Sequence, residues 1–298
     1  MPIKKFFQYN PDDPSGIPTE RTPWVAYPDN RKDFFETGFN TSNSISIEGG
    51  NEKSAARLSL SHNKSNWIMP NTQWQSFSSS LSVNHSVSKK LKITGKINYT
   101  QKDNKNLPNS GYNNHTIGYM MLFLQPNYDM AWYKAGYWVD GQENIRPKRI
   151  GDQLIENPYF IAYEILNKGK RNSVTAGASA IYTFSRKFEL MVRSGMDMGN
   201  DSREQRRPFN IQRYPEGMYR QQIINNYEIN TDALFTYRTL SVNNIGLTAS
   251  LGGNIMQTQQ QSLIAYANKL VIPGVYNLAN SKDKPEITPE FLRKHINS

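Results

Sequence analysis

Four aromatic side chains with the greatest binding potential in this chain lie close together, at Trp132, Tyr133, Tyr137 and Trp138. Flat, amphipathic rings of this kind stack on sugar rings or peptide groups and lose little conformational entropy when they do so. The alternative for each of them is that it packs its own segment together and never contacts a ligand. The first interpretation predicts a ligand-binding surface on the long segment that carries them.

The sequence gives little evidence of a catalytic or metal-binding site. The chain has no cysteine, which excludes thiol catalysis and zinc–thiolate sites. None of its histidines has the i, i+4 spacing of a zinc-binding helix; they are His62, His85, His115 and His295. His85 continues the apolar face of Phe77–Val83, where a membrane-embedded hydrolase could place a Ser–His pair. No third partner is identifiable, so a structural role is predicted, with no catalytic, metal or cofactor site.

Two short segments resemble ligand loops only superficially. Asp197–Asp201 carries carboxylate and amide oxygens but lacks the spacing of a calcium loop, and a solvated loop is predicted there. Glu48–Asn51 contains two glycines but not the Lys-Ser/Thr of a phosphate loop, and it reads as a hairpin turn.

The elements that position these residues are strands. Four pairs of segments with alternating apolar and polar residues are each joined by a tight turn: Ser44–Glu48 with Ala55–Ser61, Phe77–His85 with Leu91–Tyr99, Val174–Phe184 with Phe188–Met196, and Tyr227–Tyr237 with Ile245–Ile255. The links between pairs are longer: Asn63–Thr72, Gln101–Arg171 and Asp197–Asn226. Short turns that alternate with long loops are typical of an antiparallel transmembrane barrel. The predicted fold class is therefore all-β, an antiparallel transmembrane β-barrel segment with long extracellular loops.

Period-two patterning assigns the two faces of these strands. Leu247, Ala249, Leu251, Ile93 and Ile97 are predicted to face lipid, whereas Lys92, Lys96, Thr248 and Ser250 are predicted to face the lumen. A lipid-facing band tolerates small residues, and a wet lumen accepts Ser, Asn and Lys. Aromatic residues gather at the strand ends, as interfacial girdles do. Cross-strand aromatic pairing in a soluble sheet is the alternative.

Composition agrees with a barrel. The mean hydropathy of −0.70 and the absence of any run of about 18 apolar residues exclude helical membrane spans. The formal net charge is +10, but the cations are scattered, and the densest groups, Lys168–Arg171 and Arg203–Arg207, fall in predicted loops. Anionic lipid headgroups or an acidic ligand explain such loops at least as well as nucleic acid does, and no nucleic-acid partner is predicted.

The predicted organisation is a lead-in segment at residues 1–40 followed by a partial barrel at residues 41–298. The link Gln101–Arg171 is too long to be structureless, and Thr116–Leu124 is apolar enough for a short helix. Residues 1–11 lack a signal-peptide apolar stretch, and Leu292–Ser298 is predicted to be a polar tail. These ends predict an internal piece of a longer protein.

Several segments together resemble the SusC/RagA-type TonB-linked outer-membrane proteins of Bacteroidetes. The resemblance runs in order from about residue 20 onward through Trp24–Gly38, Asn43–Lys53, Pro70-Asn71, Leu91–Tyr99, Asn157–Tyr159, Tyr163-Glu164, Arg203–Arg206, Glu228–Asn230, Leu251–Asn254 and Pro273–Leu278. It implies part of a barrel of roughly 22 strands with an N-terminal plug that this chain lacks.

The same resemblance implies a function and partners. The family imports oligosaccharides or peptides across the outer membrane, coupled to TonB through the missing N-terminal part, with a SusD-like surface lipoprotein covering the extracellular loops. No family binding residue maps onto this chain. The alternatives are a passive outer-membrane barrel or surface adhesin without energy coupling, and a membrane-embedded hydrolase, which the sequence does not support.

Overall fold

The computed structural model describes residues 5–7, 21–149, 156–239 and 246–298. Its strands are β1 Lys5–Phe7, β2 Arg21–Pro23, β3 Phe39–Gly50, β4 Ser54–Asn66, β5 Gln73–Ser86, β6 Leu91–Asn106, β7 Leu166–Thr183, β8 Phe188–Ile211, β9 Tyr214–Arg238, β10 Thr248–Ala267 and β11 Glu286–Asn297. Its α-helices are α1 Ile117–Phe123, α2 Met130–Ala135 and α3 Pro158–Glu164, and short 3₁₀ turns lie at Lys32–Phe34 and Leu278–Asn280.

Strands β3 to β11 form one nine-stranded antiparallel sheet in which every strand pairs with its neighbours along the chain. The small β1–β2 pair forms a separate sheet. The prediction of an all-β, antiparallel architecture is confirmed. Within the described ranges, no helix has the length and apolar character needed to cross a bilayer.

The four predicted hairpins are confirmed as β3–β4, β5–β6, β7–β8 and β9–β10. Their connections lie together at one end of the sheet, which we call the turn end: residues 51–53, 87–90, 184–187 and 239–247. Residues 240–245 of the predicted Arg238–Asn244 turn lie outside the described residues. The opposite end, which we call the loop end, carries the connections 67–72, 107–165, 212–213 and 268–285.

The prediction of a long loop at Asp197–Asn226 is wrong. Strands β8 and β9 extend to 24 and 25 residues and stay paired, with Asp197 opposite Glu228 and Arg206 opposite Tyr219. Only Gln212 and Arg213 connect them. The hydrogen bonds between paired strands do not require an apolar face. A hairpin with both faces in water can therefore continue the sheet, although its sequence lacks the alternation of apolar and polar residues that identifies a strand.

The polar tail at Leu292–Ser298 is also a correction, because most of it belongs to strand β11. His295 lies opposite Gln257, and Ile296 lies opposite Met256 on β10. The link predicted at Asn63–Thr72 is shorter than expected, since β4 continues to Asn66. In each case the strand runs further toward the loop end than its apolar alternation does.

The long connection 107–165 is a folded module. The predicted helix at Thr116–Leu124 is confirmed as α1, where the Thr116 hydroxyl accepts a hydrogen bond from the Tyr119 N–H. The segment predicted to lead back into a strand, Asn157–Glu164, is helix α3. The Asn157 carboxamide accepts from the Tyr159 N–H at 2.8 Å, and Pro158 occupies the first helical position, so the sequence supplies both parts of a helix start.

Candidate functional site

The two faces of the sheet differ in chemistry in the way the sequence predicts. Lys96 lies in one row with Gly177, Gly195 and Asn230 across β6 to β9. We call the face that carries this row the inner face. It lines a groove of about 570 Å³ whose side chains are Ser82, Asn84, Thr94, Lys96, Ser179, Arg193, Asn230 and Asp232. The alternation along β6 and β10 places Lys92, Thr248 and Ser250 on the inner face as well.

The opposite, outer face is apolar and uncovered. Leu251 is 79% exposed, Ile47 68% and Ile97 47%, and Ile93 is also exposed. At the turn end this face carries a group of contacting rings: the Tyr182 and Phe184 centroids are 4.7 Å apart, and Phe188 packs on Phe235 at 5.8 Å. Exposing this much apolar surface to water is energetically unfavourable, and we therefore propose that this face contacts lipid.

The centre of the inner face is a polar trough with a backbone floor. The Arg193 guanidinium bonds the Asp232 carboxylate at 2.7 Å, and the Thr94 and Ser179 hydroxyls are 2.6 Å apart. Between these groups, a Cβ added at Gly195 would meet no atom closer than 3.9 Å. The two adjacent glycines, Gly177 and Gly195, therefore leave the floor bare, and an extended ligand or chain segment can approach the backbone there.

Toward the loop end, the inner face becomes cationic. Lys102, Arg171, Arg203 and Arg220 line a groove of about 410 Å³ together with Asn104 and Asn167. Sequence reasoning missed this surface because it assigned Lys168–Arg171 and Arg203–Arg207 to loops. A signal was present, since Lys102 continues the even-numbered lysines Lys92 and Lys96 of β6.

The predicted ligand-binding aromatics all lie in the loop-end module and are brought close to one another. The core of this module contains Phe34, Ile117, Met120, Leu124, Tyr128, Met130, Tyr133, Tyr159, Phe160, Ile161, Ala162, Ile165 and Ile211. Trp132, Tyr137 and Trp138 are half-buried at its edge. The residues come from the lead-in segment, from all three helices and from the tip of the β8–β9 hairpin, so the module is attached to the end of the sheet.

The four predicted ligand-binding rings differ in how much of their surface is exposed. Tyr133 is 0% exposed, and burial raises the pKa of its hydroxyl. Its ring has no free face in this conformation, so stacking on a ligand would require the core to open. Tyr137 stacks on Tyr163 with an interplanar angle of 3°, and burial followed by the nearby Glu164 raises its pKa to about 12.

The two tryptophans are held by edge contacts. The Trp138 ring meets Phe160 edge-on at 5.0 Å, and the Trp132 ring meets Tyr27 at 5.7 Å. Each keeps a partly exposed surface. Ligand binding by Trp132, Tyr137 and Trp138 is therefore compatible with the module's packing and stays a prediction.

The module contains a buried ion pair and a buried histidine. The Arg149 guanidinium forms a fork with the Glu156 carboxylate at 2.7 and 3.1 Å, and the Glu156 side chain is 1% exposed. Burial raises the pKa of Glu156. Near the hairpin tip, burial and then the charge of Arg207 lower the pKa of His115 to about 4.

His85 does have a serine partner. Its Nδ1 lies 2.7 Å from the Ser54 hydroxyl, on the outer face near the turn end. Among the residues the structure describes, no carboxylate forms a hydrogen bond or ion pair with His85. A Ser–His pair without an orienting acid is consistent with the structural role predicted for this histidine.

Comparison with known proteins finds related folds but no related sequence of known function. No protein-family model matches the chain, and no curated protein matches it. Three structures of RagAB do match. A RagAB peptide importer in its closed-closed state aligns with a TM-score of 0.63 at 15% identity, covering 89% of this chain. The RagAB peptide transporter aligns at 0.64 with 15% identity and 88% coverage. The importer's open-open state aligns at 0.66 with 16% identity and 88% coverage.

The chain spans about 30% of the length of these matched chains. At this identity the likeness establishes the fold alone: over most of its length the chain has the architecture of a stretch of a RagAB chain. The resemblance to SusC/RagA-type proteins noted in the sequence is confirmed at that level.

Proposed function

We propose that this chain is part of the wall of an outer-membrane TonB-dependent transporter, and that the whole protein imports peptides or oligosaccharides with a SusD-like lipoprotein. The observation that carries the proposal is the sidedness of the sheet. One face is apolar and exposed, the other is polar and grooved, and a folded module caps only the loop end. The first two features are those of a transmembrane barrel wall, and a large connection on one side of the short-turned sheet is typical of such barrels.

The likeness to RagAB supports a peptide as the cargo, since the matched structures are described as a peptide importer. The loop-end module is the proposed docking surface for the lipoprotein, because it projects from the side opposite the short turns. Trp132, Tyr137 and Trp138 at its edge are the proposed ligand contacts. TonB would contact the N-terminal part that the resemblance implies.

The test is uptake by cells that carry the full-length protein. A labelled mixture of short peptides should enter wild-type cells and stay outside cells that lack the gene. Collapsing the protonmotive force should stop uptake and leave surface binding intact, because TonB coupling draws on that force. Uptake that persists after collapse would indicate the passive barrel instead, and binding without any uptake would indicate an adhesin.

The aromatic residues need a sharper test than deletion of the segment. Removing residues 130–142 would delete Met130 and Tyr133 from the module's core. Trp138→Ala combined with Trp132→Ala changes only half-buried rings. Under the proposal, this variant inserts normally and loses uptake, whereas alanine at Ser185 in the opposite turn leaves uptake unchanged. Normal uptake by the tryptophan variant would assign these rings to packing alone.

A further inference from the structure

The cationic part of the inner face contains charges that the described structure does not balance. Lys102 on β6 lies directly opposite Arg171 on β7. Residues that face each other on adjacent antiparallel strands have Cβ atoms about 4.5–5.5 Å apart, and like charges in such positions repel. Both side chains are exposed, and within the described residues neither forms an ion pair.

The carboxylate that faces Arg171 from β8 is already engaged. Asp201 lies opposite Arg171 on the other side, but its Oδ2 accepts from Arg203 at 2.7 Å and 3.2 Å. Arg220 is held by neutral groups, since its guanidinium bonds the Tyr266 hydroxyl at 2.9 Å and the Gln222 carbonyl at 2.7 Å. On the inner face, four cations thus share this surface with Asp201, and the groove's other carboxylate, Glu204, bonds Arg206.

The outer face at the same height also carries cations, but carboxylates lie among them. Lys170 there lies opposite Asp103, and Glu204 receives both Lys168 at 3.9 Å and Arg206 at 2.5 Å. On the inner face, by contrast, the facing cations Lys102 and Arg171 form no ion pair with any described residue.

The floor of the cationic groove is again backbone with amide side chains. Gly169 lies in the row between Asn104 and Arg203. A Cβ at Gly169 would come within 2.7 Å of the Asn104 amide nitrogen, so the amide lies flat over the glycine. The buried Asn104 Oδ1 accepts no hydrogen bond from any residue that the structure describes. Asn167 and Gln205 line the same groove. Guanidinium and ammonium groups beside carboxamides suit a ligand that carries both carboxylates and amide groups.

We propose that this surface, Lys102, Arg171, Arg203 and Arg220 on the inner face, is a binding site for acidic peptides. Side-chain carboxylates of the peptide lie against Lys102 and Arg171 and relieve their repulsion, and the carboxamides bond the peptide main chain. The inference rests on the proposed transport function and names its cargo class.

The experiment uses the purified full-length protein and two fluorescent peptides of equal length, a Glu-Gly repeat and a Gln-Gly repeat. The Glu peptide should bind more tightly, and added salt should weaken it. Lys102→Gln with Arg171→Gln should weaken binding of the Glu peptide roughly tenfold, about 1.4 kcal/mol. Binding of the Gln peptide should not change. Lys64→Gln, which removes an exposed outer-face cation that does not line the groove, is the matched control and should bind like the wild type.

Three results would refute the proposal of an acidic-peptide site. The two peptides could bind equally to the wild type, the double variant could keep its affinity for the Glu peptide, or an oligogalacturonate could displace that peptide at a lower concentration than unlabelled peptide does. The last result would make the ligand an acidic saccharide. Thermal unfolding supplies a further check. Removing two repelling charges should not lower the midpoint, and a double variant that fails to fold would refute the repulsion.

Failure of this site and failure of the proposed function are distinguishable. If cells import peptides with no preference for acidic ones, the transport function stands and the acidic site falls. If the purified protein binds the Glu peptide as expected but cells import no peptide, the site stands and the transport function falls.

Discussion

Adjacent residues on β7 allow a direct test of which face of the sheet contacts lipid. Ala178 lies on the outer face and Ser179 on the inner face, in the row with Arg193 and Asp232. Arginine at Ala178 would have to enter the hydrocarbon layer, whereas arginine at Ser179 would enter the polar groove. The same substitution one residue apart therefore separates the two environments, with strand propensity held constant.

The depth of Ala178 sets the magnitude. It lies four residues from Tyr182 of the aromatic group at the turn end. At about 3.3 Å per residue and a strand tilt of about 40°, this is roughly 10 Å below that boundary. The apolar band of an outer-membrane barrel is about 25 Å tall, so Ala178 is close to its midplane. An arginine there costs about 2–4 kcal/mol, whereas Ala249 beside the ring of Tyr237 is too near the boundary for the full cost.

The assay is denaturant unfolding of the full-length barrel in lipid vesicles. Ala178→Arg should lower the free energy of unfolding by about 2–4 kcal/mol, and Ser179→Arg should lower it by less than about 1 kcal/mol. The slope of the transition should be unchanged, so that the difference reports stability rather than altered exposure. Equal losses, or a larger loss at Ser179, would refute the assignment of lipid to the outer face.

Three further predictions concern the two ends of the sheet. An epitope tag at Gly141 or between Gln212 and Arg213 should be stained on intact cells, and a tag at Arg186 only after permeabilisation; the opposite pattern would contradict the proposed orientation. Because the pKa of His115 is lowered to about 4, protonation of His115 disfavours the folded module, and the module loses stability as the pH falls from about 6.5 toward 4. Protease sensitivity of the module should therefore rise at pH 5 in the wild type and change less in His115→Phe. Arg149→Ala leaves a buried carboxylate unpaired and should destabilise the module by about 3 kcal/mol, seen as faster cleavage near residue 140.

The strand centres could be predicted because the membrane constrains one of their faces. Where one face carries Ile93, Ile97 or Leu251 and the other carries polar groups, the alternation is visible in the sequence. Beyond the apolar rows the constraint ends. Both faces of β8 from Asp197 to Arg207 are polar, so the sequence there looks like a loop although the ladder continues. The limit of the prediction therefore coincides with the limit of the apolar band.

In the loop-end module, too, only the features with a local sequence pattern could be predicted. Its first helix was predicted because apolar residues follow Thr116. The buried face of α2 was readable in principle, since Met130 and Tyr133 are three residues apart and a helix places them on one side. The sequence could not predict which of the four aromatic rings remain partly exposed. That outcome depends on Tyr27 of the lead-in segment and on Phe160 and Tyr163 of helix α3, more than 20 residues along the chain from Trp138.

The aromatic residues of the module and the cations of the inner face have separate roles in the structure. Aromatic residues build the module, and their packing gives it a fixed position at the end of the sheet. The cations were predicted in loops, where they would be mobile and screened, but they lie on paired strands that hold them at fixed spacing. The paired backbone holds these charges close together, and their repulsion in the absence of a ligand favours the bound state. A chain that keeps Lys102 opposite Arg171, with no carboxylate of the described residues paired to either, retains this cost on the inner face, where an anionic ligand can relieve it.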